Sequence, residues 1–274
     1  RVDALVHWLP DGVYPREDQG DCVAEFDHTG SLLSPISSLG HVAVSGTTRY
    51  RSTQFGDEYQ DNYFISVFNT QRIVRSILTP AGSTWTSTEE DFLVSANPDF
   101  HPTDVIEDAD GSLLVIDTGG WFRIGCPESQ IAKPDLKGAI YRIRKTGAHQ
   151  IADPRGQSID WKELSTTELA NYLDDSRPAV RELAIDKLAL HFGGDRGRAL
   201  SFAKSISWSK QSETFRRNYL WGISRISADV FTAYESAYMM DFLQDESESV
   251  RQVALKVLAD LSSDIESLDL IVPL

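Results

Sequence analysis

The stretch "DFHPTDVIEDADGSLLVIDTGG", residues 99–120, decides the fold of the first half of the chain. It holds two short apolar runs separated by Asp110-Gly111, and Asp117 and a glycine pair follow the second run. An Asp-Gly pair between two apolar runs is typical of a hairpin turn. The stretch therefore predicts strand, turn, strand and loop, a pattern that suits both a β-propeller blade and an active-site loop.

Short strands recur on both sides of this stretch. Up to about residue 148, apolar runs rich in β-branched and aromatic residues alternate with Gly, Pro, Asn or Asp. The candidate strands are "CVAEFD", "TTRYR", "YFISVF", "RIVRSIL", "DFLVS", "TDVIED", "SLLVID" and "AIYRIR". They form one meander of four strands and the start of another, and the second strands of the two, Tyr63–Phe68 and Leu113–Asp117, lie about 50 residues apart. This interval predicts four-stranded propeller blades, with residues 1–38 in part of an earlier blade.

The second half of the chain has a helical period. Val180-Arg181, Phe215-Arg216 and Val250-Arg251 recur at an interval of 35 residues, each within an apolar face of helical spacing. A shorter helix is predicted before each of them, at 166–173, 201–207 and 233–243. The pairs resemble HEAT repeats, in which each helix pair buries its apolar face against the next pair. We place these repeats at 163–274, a linker at 147–162 and the propeller blades at 1–146.

The repeated arginines predict lateral contacts. An arginine early in a helix gains nothing from the helix macrodipole, so its recurrence indicates a specific partner. Asp175 and Asp245 are the expected partners of Arg181 and Arg251. The middle repeat has Lys210 in the equivalent place, so we expect Arg216 to bind a residue of a neighbouring repeat.

Composition excludes several classes of protein. The 274 residues carry a net charge of −15, which repels phosphate backbones and argues against nucleic-acid binding. No apolar segment is long enough to span a membrane. The two cysteines, Cys22 and Cys126, form no C-x-x-C or C-x-x-C-H motif, so no covalent haem is expected in this chain. They could form a disulfide or be two separate buried thiols. The chain begins with Arg1 and has no signal-peptide pattern, so we expect a mature or excised part of a longer protein.

Candidate site residues lie in the loops that a propeller gathers at one mouth. No nucleophile elbow, zinc-protease motif, P-loop or dinucleotide fingerprint is present, and no metal site is predicted from the motifs. The loops bring together His41, Asn69, Arg72, Asp99, His101, Asp104, Asp117, Trp121, Arg123 and Lys133. Histidine suits acid–base chemistry, and the cations suit an anionic ligand. The competing interpretation is structural: Asp104 and Asp117 would cap loop amides, and Trp121 would be a packing lid.

A family resemblance rests on two long stretches. "HTGSLLSPISSLGHVAVSGTTRYRSTQFGDEYQDNYFISVFNTQRIVRSIL" and "EDFLVSANPDFHPTDVIEDADGSLLVIDTGGWFRIGCPESQIAKPDLKGAIYRIRK" resemble the propeller end of the large membrane-bound dehydrogenases of planctomycetes. Those proteins are similar to soluble glucose/sorbosone dehydrogenases, six-bladed propellers that use pyrroloquinoline quinone (PQQ) and calcium. The resemblance implies the last blades of such a propeller, then HEAT repeats and often a c-type cytochrome, in the periplasm or at the cell surface.

The residues depart from the family at the cofactor positions. Where the glucose dehydrogenases have Arg-x-Arg-Asp, with both arginines on PQQ carboxylates, this chain has His101-Pro102-Thr103-Asp104. The cofactor lysine has no counterpart in "FNTQR", which offers Asn69 and Arg72. PQQ has three carboxylates, so the loss of fixed cations predicts weak binding, unless Arg72, Arg123 and Lys133 compensate.

Two functions follow as hypotheses. The first is a sugar or alcohol oxidoreductase that passes electrons to a haem domain outside this chain. It assigns catalysis to His41, His101 and Asp104, and cofactor binding to Asn69, Arg72, Trp121, Arg123 and Lys133, with PQQ and Ca²⁺ as candidates. The second is a non-catalytic module that binds a glycan at the propeller and a protein on the helical stack. Fewer than three blades are present, so residues 1–274 alone are expected to aggregate or associate.

Overall fold

A computed structural model describes residues 2–9, 12–15, 25, 27, 30–119, 135–226 and 239–261. The chain forms two compact units, Arg1–Gln150 and Ile151–Leu274. The first contains antiparallel sheets and the second contains helices, so the order β then α is confirmed. No helix in the described ranges is long and apolar enough to cross a membrane.

Three antiparallel sheets lie in the described part of the first unit. Strands β1 (Asp3–Leu5) and β2 (Ser37–Gly40) form a pair. The four-stranded sheet has the order β3 (Val44–Arg49), β4 (Tyr63–Val67), β5 (Arg72–Ala81) and β6 (Thr84–Val94). The three-stranded sheet has the order β7 (Pro102–Glu107), β8 (Leu113–Asp117) and β9 (Ala139–Ile143). Both predicted meanders are therefore present. The predicted strand at 22–27 lies outside the described residues apart from positions 25 and 27.

The sheets pack because their strands alternate. Ile65, Val67 and Val74 lie on one face of the four-stranded sheet and meet Leu5 and Leu39 of the β1–β2 pair. The opposite face contributes to a second core with the three-stranded sheet; its buried residues are Tyr50, Phe55, Phe64, Ile73, Phe100, Val105, Leu113 and Val115. Successive side chains of a strand point to opposite faces, so one sheet serves two cores.

Polar groups also join the two larger sheets. The Tyr50 hydroxyl donates to the carbonyl oxygen of Gly111 at 2.7 Å and accepts from the amide of Phe55 at 3.3 Å. Burial raises the pKa of Tyr50 to about 12. Glu107 accepts from the backbone amide of Arg51 at 3.0 Å, and burial raises the pKa of its carboxyl group. The contacts of Tyr50 with Gly111 and of Glu107 with Arg51 link residues more than 50 positions apart, so this seam between the two larger sheets forms only when both sheets are in place.

The described part of the second unit is helical. Its helices are α1 (Thr166–Asn171), α2 (Pro178–Phe192), α3 (Arg196–Ser205), α4 (Glu213–Ser224) and α5 (Glu248–Leu261), with a further helical segment at 239–243. Ser165 and Glu168 form a capping box at α1, which fixes where that helix begins.

The middle short helix differs from its prediction. The apolar pattern predicts this helix at 201–207, whereas α3 starts five residues earlier, at Arg196. Gly193, in the left-handed conformation, ends α2, and the Asp195 side chain then accepts from the amide of Arg198. These two local signals place the helix start earlier than the apolar period alone suggests. For the short helix predicted at 233–243, only 239–243 lies within the described residues.

Residues that lie 35 positions apart in the sequence occupy equivalent positions in the helices, and most of these positions are buried. Leu188, Ile223 and Leu258 are all buried in one continuous core. Ile185 and Leu220, also equivalent, are 4% and 0% exposed, but Leu255 at the same position of α5 is 42% exposed.

Residues 151–164 fold onto the start of this unit. Trp161 packs on the helical core, and its indole donates to the carbonyl oxygen of Gly156 at 3.1 Å. Gly156 has a φ of +64°, and a Cβ there would press on Val180. Much of the segment predicted as a linker at 147–162 thus makes contacts within the second unit.

The repeated arginines bind backbone carbonyl groups. Arg181 donates to the carbonyl oxygen of Asp175 at 2.6 Å, and Arg251 donates to that of Asp245 at 2.7 Å. The predicted residues are thus in contact, but through the backbone; the Asp175 carboxylate also receives Arg177. Arg216 pairs with the Asp245 carboxylate at 2.8 Å, so the expected contact with a neighbouring repeat is confirmed.

Candidate functional site

Four connecting segments meet at one end of the sheets, which we call the loop end. They are residues 41–43 before β3, 68–71 between β4 and β5, 95–101 before β7, and 118–119 after β8. The strand register brings them together: Val44 pairs with Val67, Val67 pairs with Arg72, and Pro102 pairs with Asp117. Antiparallel pairing places the start of one strand beside the end of its neighbour, so these loops share one edge.

Direct contacts connect the segments in series. The amide of Asn69 donates to the carbonyl oxygen of Val42 at 3.2 Å. The Phe68 ring packs on the His101 ring, with centroids 4.8 Å apart. The amide of His101 then donates to the Asp117 carboxylate at 3.0 Å. The loop end is therefore a connected structure rather than a set of separate loops.

Two carboxylates, those of Asp3 and Asp117, bind backbone amides of the loop end. Asp3 accepts from the amides of Val42 and Ala43, at 3.2 and 2.8 Å. Asp117 accepts from the amides of His101 and Gly119, at 3.0 and 2.9 Å. The interpretation of Asp117 as a cap for loop amides is thus confirmed. Sequence reasoning missed Asp3, because it lies 39 residues before the first amide that it binds and no local pattern connects them.

The same loops contain unusual backbone conformations. Ala43 and Gln71 both have a φ of +53°, in the left-handed region that residues other than glycine rarely adopt. Each lies in a segment held by the contacts described above. Such conformations persist where the surroundings enforce them, and they often occur at functional sites.

The structure places the two candidate histidines differently. His41 is exposed at the start of its loop. His101 is 5% exposed, and its Nδ1 lies 3.0 Å from the carbonyl oxygen of Asp99. A carbonyl oxygen only accepts, so Nδ1 is the donor in this contact.

Asp104, Asn69 and Arg72 also have defined surroundings. Asp104 lies against Gly46 of β3, where a Cβ would overlap it, and its carboxylate accepts from the amide of Val105 at 2.8 Å. Asn69 is half-buried in the short helical turn between β4 and β5. The Arg72 guanidinium binds Thr70 and the Asp91 carboxylate, each at 3.0 Å, and so it is directed towards β6. Trp121, Arg123 and Lys133 lie outside the described residues.

The loop "DADGS" is built by ion pairs. Arg142 contacts the Asp108 carboxylate at 2.6 Å and that of Asp110 at 3.3 Å, and Arg144 contacts Asp110 at 2.8 Å. Hydrogen bonds and ion pairs from Ser112 and the two arginines hold the pKa of Asp110 at about 2, against the opposing effect of partial burial. No group of three or more potential metal-binding side chains occurs among the residues that the structure describes. The loop is a charged hairpin turn.

Comparison with known proteins gives two weak likenesses. Residues 23–147 match a family described as a domain of unknown function, DUF7133. No curated protein matches the chain. A solved structure from Thermus thermophilus, described as a putative oxidoreductase (glucose dehydrogenase), is similar at 12% identity with a TM-score of 0.30. The likeness covers 43% of this chain and 30% of that protein, so this chain spans about a third of its length. We assign no site residue from it.

Proposed function

We propose that the first unit is the C-terminal part of a β-propeller of the glucose/sorbosone dehydrogenase type, whose loop end binds a sugar or an alcohol for oxidation. The observation that carries this proposal is the position of His101. It lies where the loops before β7, after β8 and between β4 and β5 meet, with its tautomer fixed by Asp99. In the proposal, Nε2 takes the hydroxyl proton of the substrate, as a neutral imidazole does in general base catalysis, and the hydride from the same carbon goes to a two-electron acceptor that is supplied from outside the described residues. His41 and Asp104 contribute from the adjacent strand starts.

The rest of the proposal follows from the resemblance. The helix pairs are HEAT-like repeats that offer a surface to a protein partner. Electrons pass to a haem domain outside residues 1–274, and the protein acts in the periplasm or at the cell surface.

The described residues do not by themselves fit PQQ. Its three carboxylates need fixed cations. At the described loop end, the Arg72 guanidinium is already bound to Asp91, and His101-Pro102-Thr103 replaces two arginines of the related enzymes. Asp117 and Asp3 each accept two backbone amides on one carboxylate oxygen, and the described residues contain no group of three or more side chains that could hold a calcium ion. We therefore derive no step through either group.

A second candidate, a glycan-binding module without catalysis, is favoured by the pairing of Arg72. A cation held by a neighbouring carboxylate is less available to an anionic cofactor, whereas an uncharged sugar does not require it. The preorganised backbone of the loop end suits either function.

One experiment separates the two. The protein is assayed with a panel of sugars and alcohols and an artificial two-electron acceptor, with and without added PQQ and Ca²⁺, and sugar binding is measured by calorimetry. We expect His101→Gln to lower the oxidation rate by at least about 100-fold while binding changes by less than about threefold. His149→Gln, on an exposed residue, is the matched control and should leave the rate unchanged.

The outcomes are distinct. Sugar binding without oxidation under any of these conditions would favour the binding module. If neither binding nor oxidation occurs, the loop end is not a site for sugars or alcohols.

A further inference from the structure

Contacts of different kinds hold His101 in place. Its backbone amide donates to the Asp117 carboxylate, and its Nδ1 contacts the carbonyl oxygen of Asp99, each at 3.0 Å. A further contact comes from the four-stranded sheet: the Phe68 ring lies on the imidazole ring, with centroids 4.8 Å apart and planes inclined by 37°. The hydrogen bonds fix the backbone and one edge of the imidazole, whereas the Phe68 ring limits the tilt of its face.

The loop before β3 places the Phe68 ring. The amide of Phe68 donates to the carbonyl oxygen of Ala43 at 3.1 Å, and the amide of Asn69 donates to that of Val42 at 3.2 Å. Phe68 and Asn69 belong to the short helical turn between β4 and β5. Because two consecutive amides of this turn bind two consecutive carbonyl groups, the turn cannot rotate without breaking both hydrogen bonds. The position of the Phe68 ring therefore depends on the conformation of residues 42 and 43.

Asp3 in turn holds that conformation. One oxygen of its carboxylate accepts from the amides of Val42 and Ala43, at 3.2 and 2.8 Å. Ala43 has a φ of +53°, which a residue other than glycine keeps only where its surroundings enforce it. An ionised acceptor makes stronger hydrogen bonds than a neutral one, so the Asp3 carboxylate is suited to enforce this conformation. Residues 42 and 43 thus bind Asp3 through their amides and the 68–69 turn through their carbonyl groups.

We propose that Asp3 and Phe68 are positioning residues for His101, and that Asp3 acts through residues 42 and 43 on Phe68, which in turn acts on the imidazole. A general base must lie within hydrogen-bond reach of the proton that it takes, so a change in the tilt of the ring lowers the rate. The effect on the rate rests on the oxidation proposed above, whereas the effect on the ring orientation does not. A purely structural role of Asp3 would affect stability and leave the His101 ring in place.

The first test follows the His101 ring without a substrate. The NMR signal of its Cε1–H group, assigned by its loss in His101→Gln, is shifted by the ring current of Phe68. We expect Phe68→Leu to move this signal, and Asp3→Ala to move it in the same direction. The matched controls, Phe92→Leu and Glu89→Ala, change a half-buried ring and an exposed carboxylate of β6 and should leave the signal unchanged.

The second test measures the oxidation rate. Phe68→Leu and Asp3→Ala should each lower kcat by at least about tenfold and change KM by less than about threefold, because a misplaced base slows the chemical step more than it weakens binding. If the two residues act in series, the double variant should be no slower than the slower single variant, whereas independent effects would multiply. Asp3→Asn keeps an oxygen that accepts both amides and should retain most of the rate.

The outcomes separate this inference from the proposed oxidation. Asp3→Glu keeps the carboxylate but moves it by one methylene group, and it replaces Asp3→Ala if that variant does not fold. An unmoved His101 signal in the folded variant would overturn the positioning role, and so would multiplying effects on the rate. A signal that moves in a protein that oxidises no sugar or alcohol would support the positioning role and contradict the proposed oxidation.

Discussion

The two units of this chain both have an apolar core, but the polar groups that join their elements differ. In the β unit, the seam between sheets includes buried polar groups, such as Tyr50 on Gly111 and Glu107 on Arg51. In the helical unit, the helices share a continuous apolar core, Arg181 and Arg251 bind backbone carbonyl groups, and Arg216 pairs with the Asp245 carboxylate. Both units thus have an apolar core, but the groups whose pKa burial raises, Tyr50 and Glu107, lie in the β unit.

The largest expected effect is on the helical core. Leu188→Ala should lower the free energy of unfolding of the helical unit by about 2–5 kcal/mol, because it leaves a cavity at a position 1% exposed. Leu190→Ala, on the same helix but 72% exposed, should change it by less than about 0.5 kcal/mol. Denaturant unfolding followed by far-UV circular dichroism measures both. Similar costs for the two variants would mean that the core of this unit does not depend on packing.

A smaller effect is expected for the arginine that joins two repeats. Arg216→Ala removes a pair with Asp245 in which both side chains are nearly buried, so we expect a cost of about 2–3 kcal/mol. Arg181→Ala removes the hydrogen bond to the carbonyl group of Asp175 and should cost about 1 kcal/mol. The same denaturant experiment compares them. If Arg181→Ala proves the more costly, the contact between repeats is not what makes Arg216 important.

The smallest effect, in pH dependence, compares the units directly. Burial raises the pKa of Glu107, so its contribution to stability is largest below its unfolded pKa and is lost as the pH rises through its folded pKa. The melting temperature of Glu107→Gln, relative to that of the native protein, should therefore be higher at pH 7 than at pH 4. Melting temperatures of the β unit at the two pH values measure this.

Glu168 in the helical unit is the control of opposite sign. Its hydrogen bonds to the side chain and backbone of Ser165 lower the pKa of its carboxyl group. Its contribution is present above the unfolded pKa and is lost as the pH falls. The melting temperature of Glu168→Gln, relative to that of the native protein, should accordingly be higher at pH 4 than at pH 7. If the relative melting temperatures of both variants change in the same direction between pH 4 and pH 7, burial at the seam does not raise the pKa of Glu107.

Much of the fold was predictable, because its signals are local. The Asp110-Gly111 turn, the alternation in β4 and β5, and the interval of 35 residues each act within a short window of sequence. At the start of α3 two local signals disagree about where the helix begins. The helix begins where the capping residues Gly193 and Asp195 indicate, and not where the apolar period alone indicates.

The candidate site was predictable only in part. The sequence indicated which loops converge, since strand order determines it. It did not indicate that His101 would be buried, that Arg72 would turn towards Asp91, or that Asp3 would hold residues 42 and 43. Each of these depends on contacts between residues that are distant in the chain or on which of several partners a side chain meets. The partners of the repeated arginines show the same limit, because the sequence named Asp175 and Asp245 but not whether a carbonyl or a carboxylate oxygen would accept.

The two ends of the helical unit give it a direction. Trp161 and Leu164, which precede α1, pack against the apolar core of this unit. At α5, Leu255 remains exposed at a position that the preceding helices bury. Among the described residues, the core is therefore covered next to residues 151–164, whereas an apolar position that α2 and α4 bury is in contact with solvent on α5.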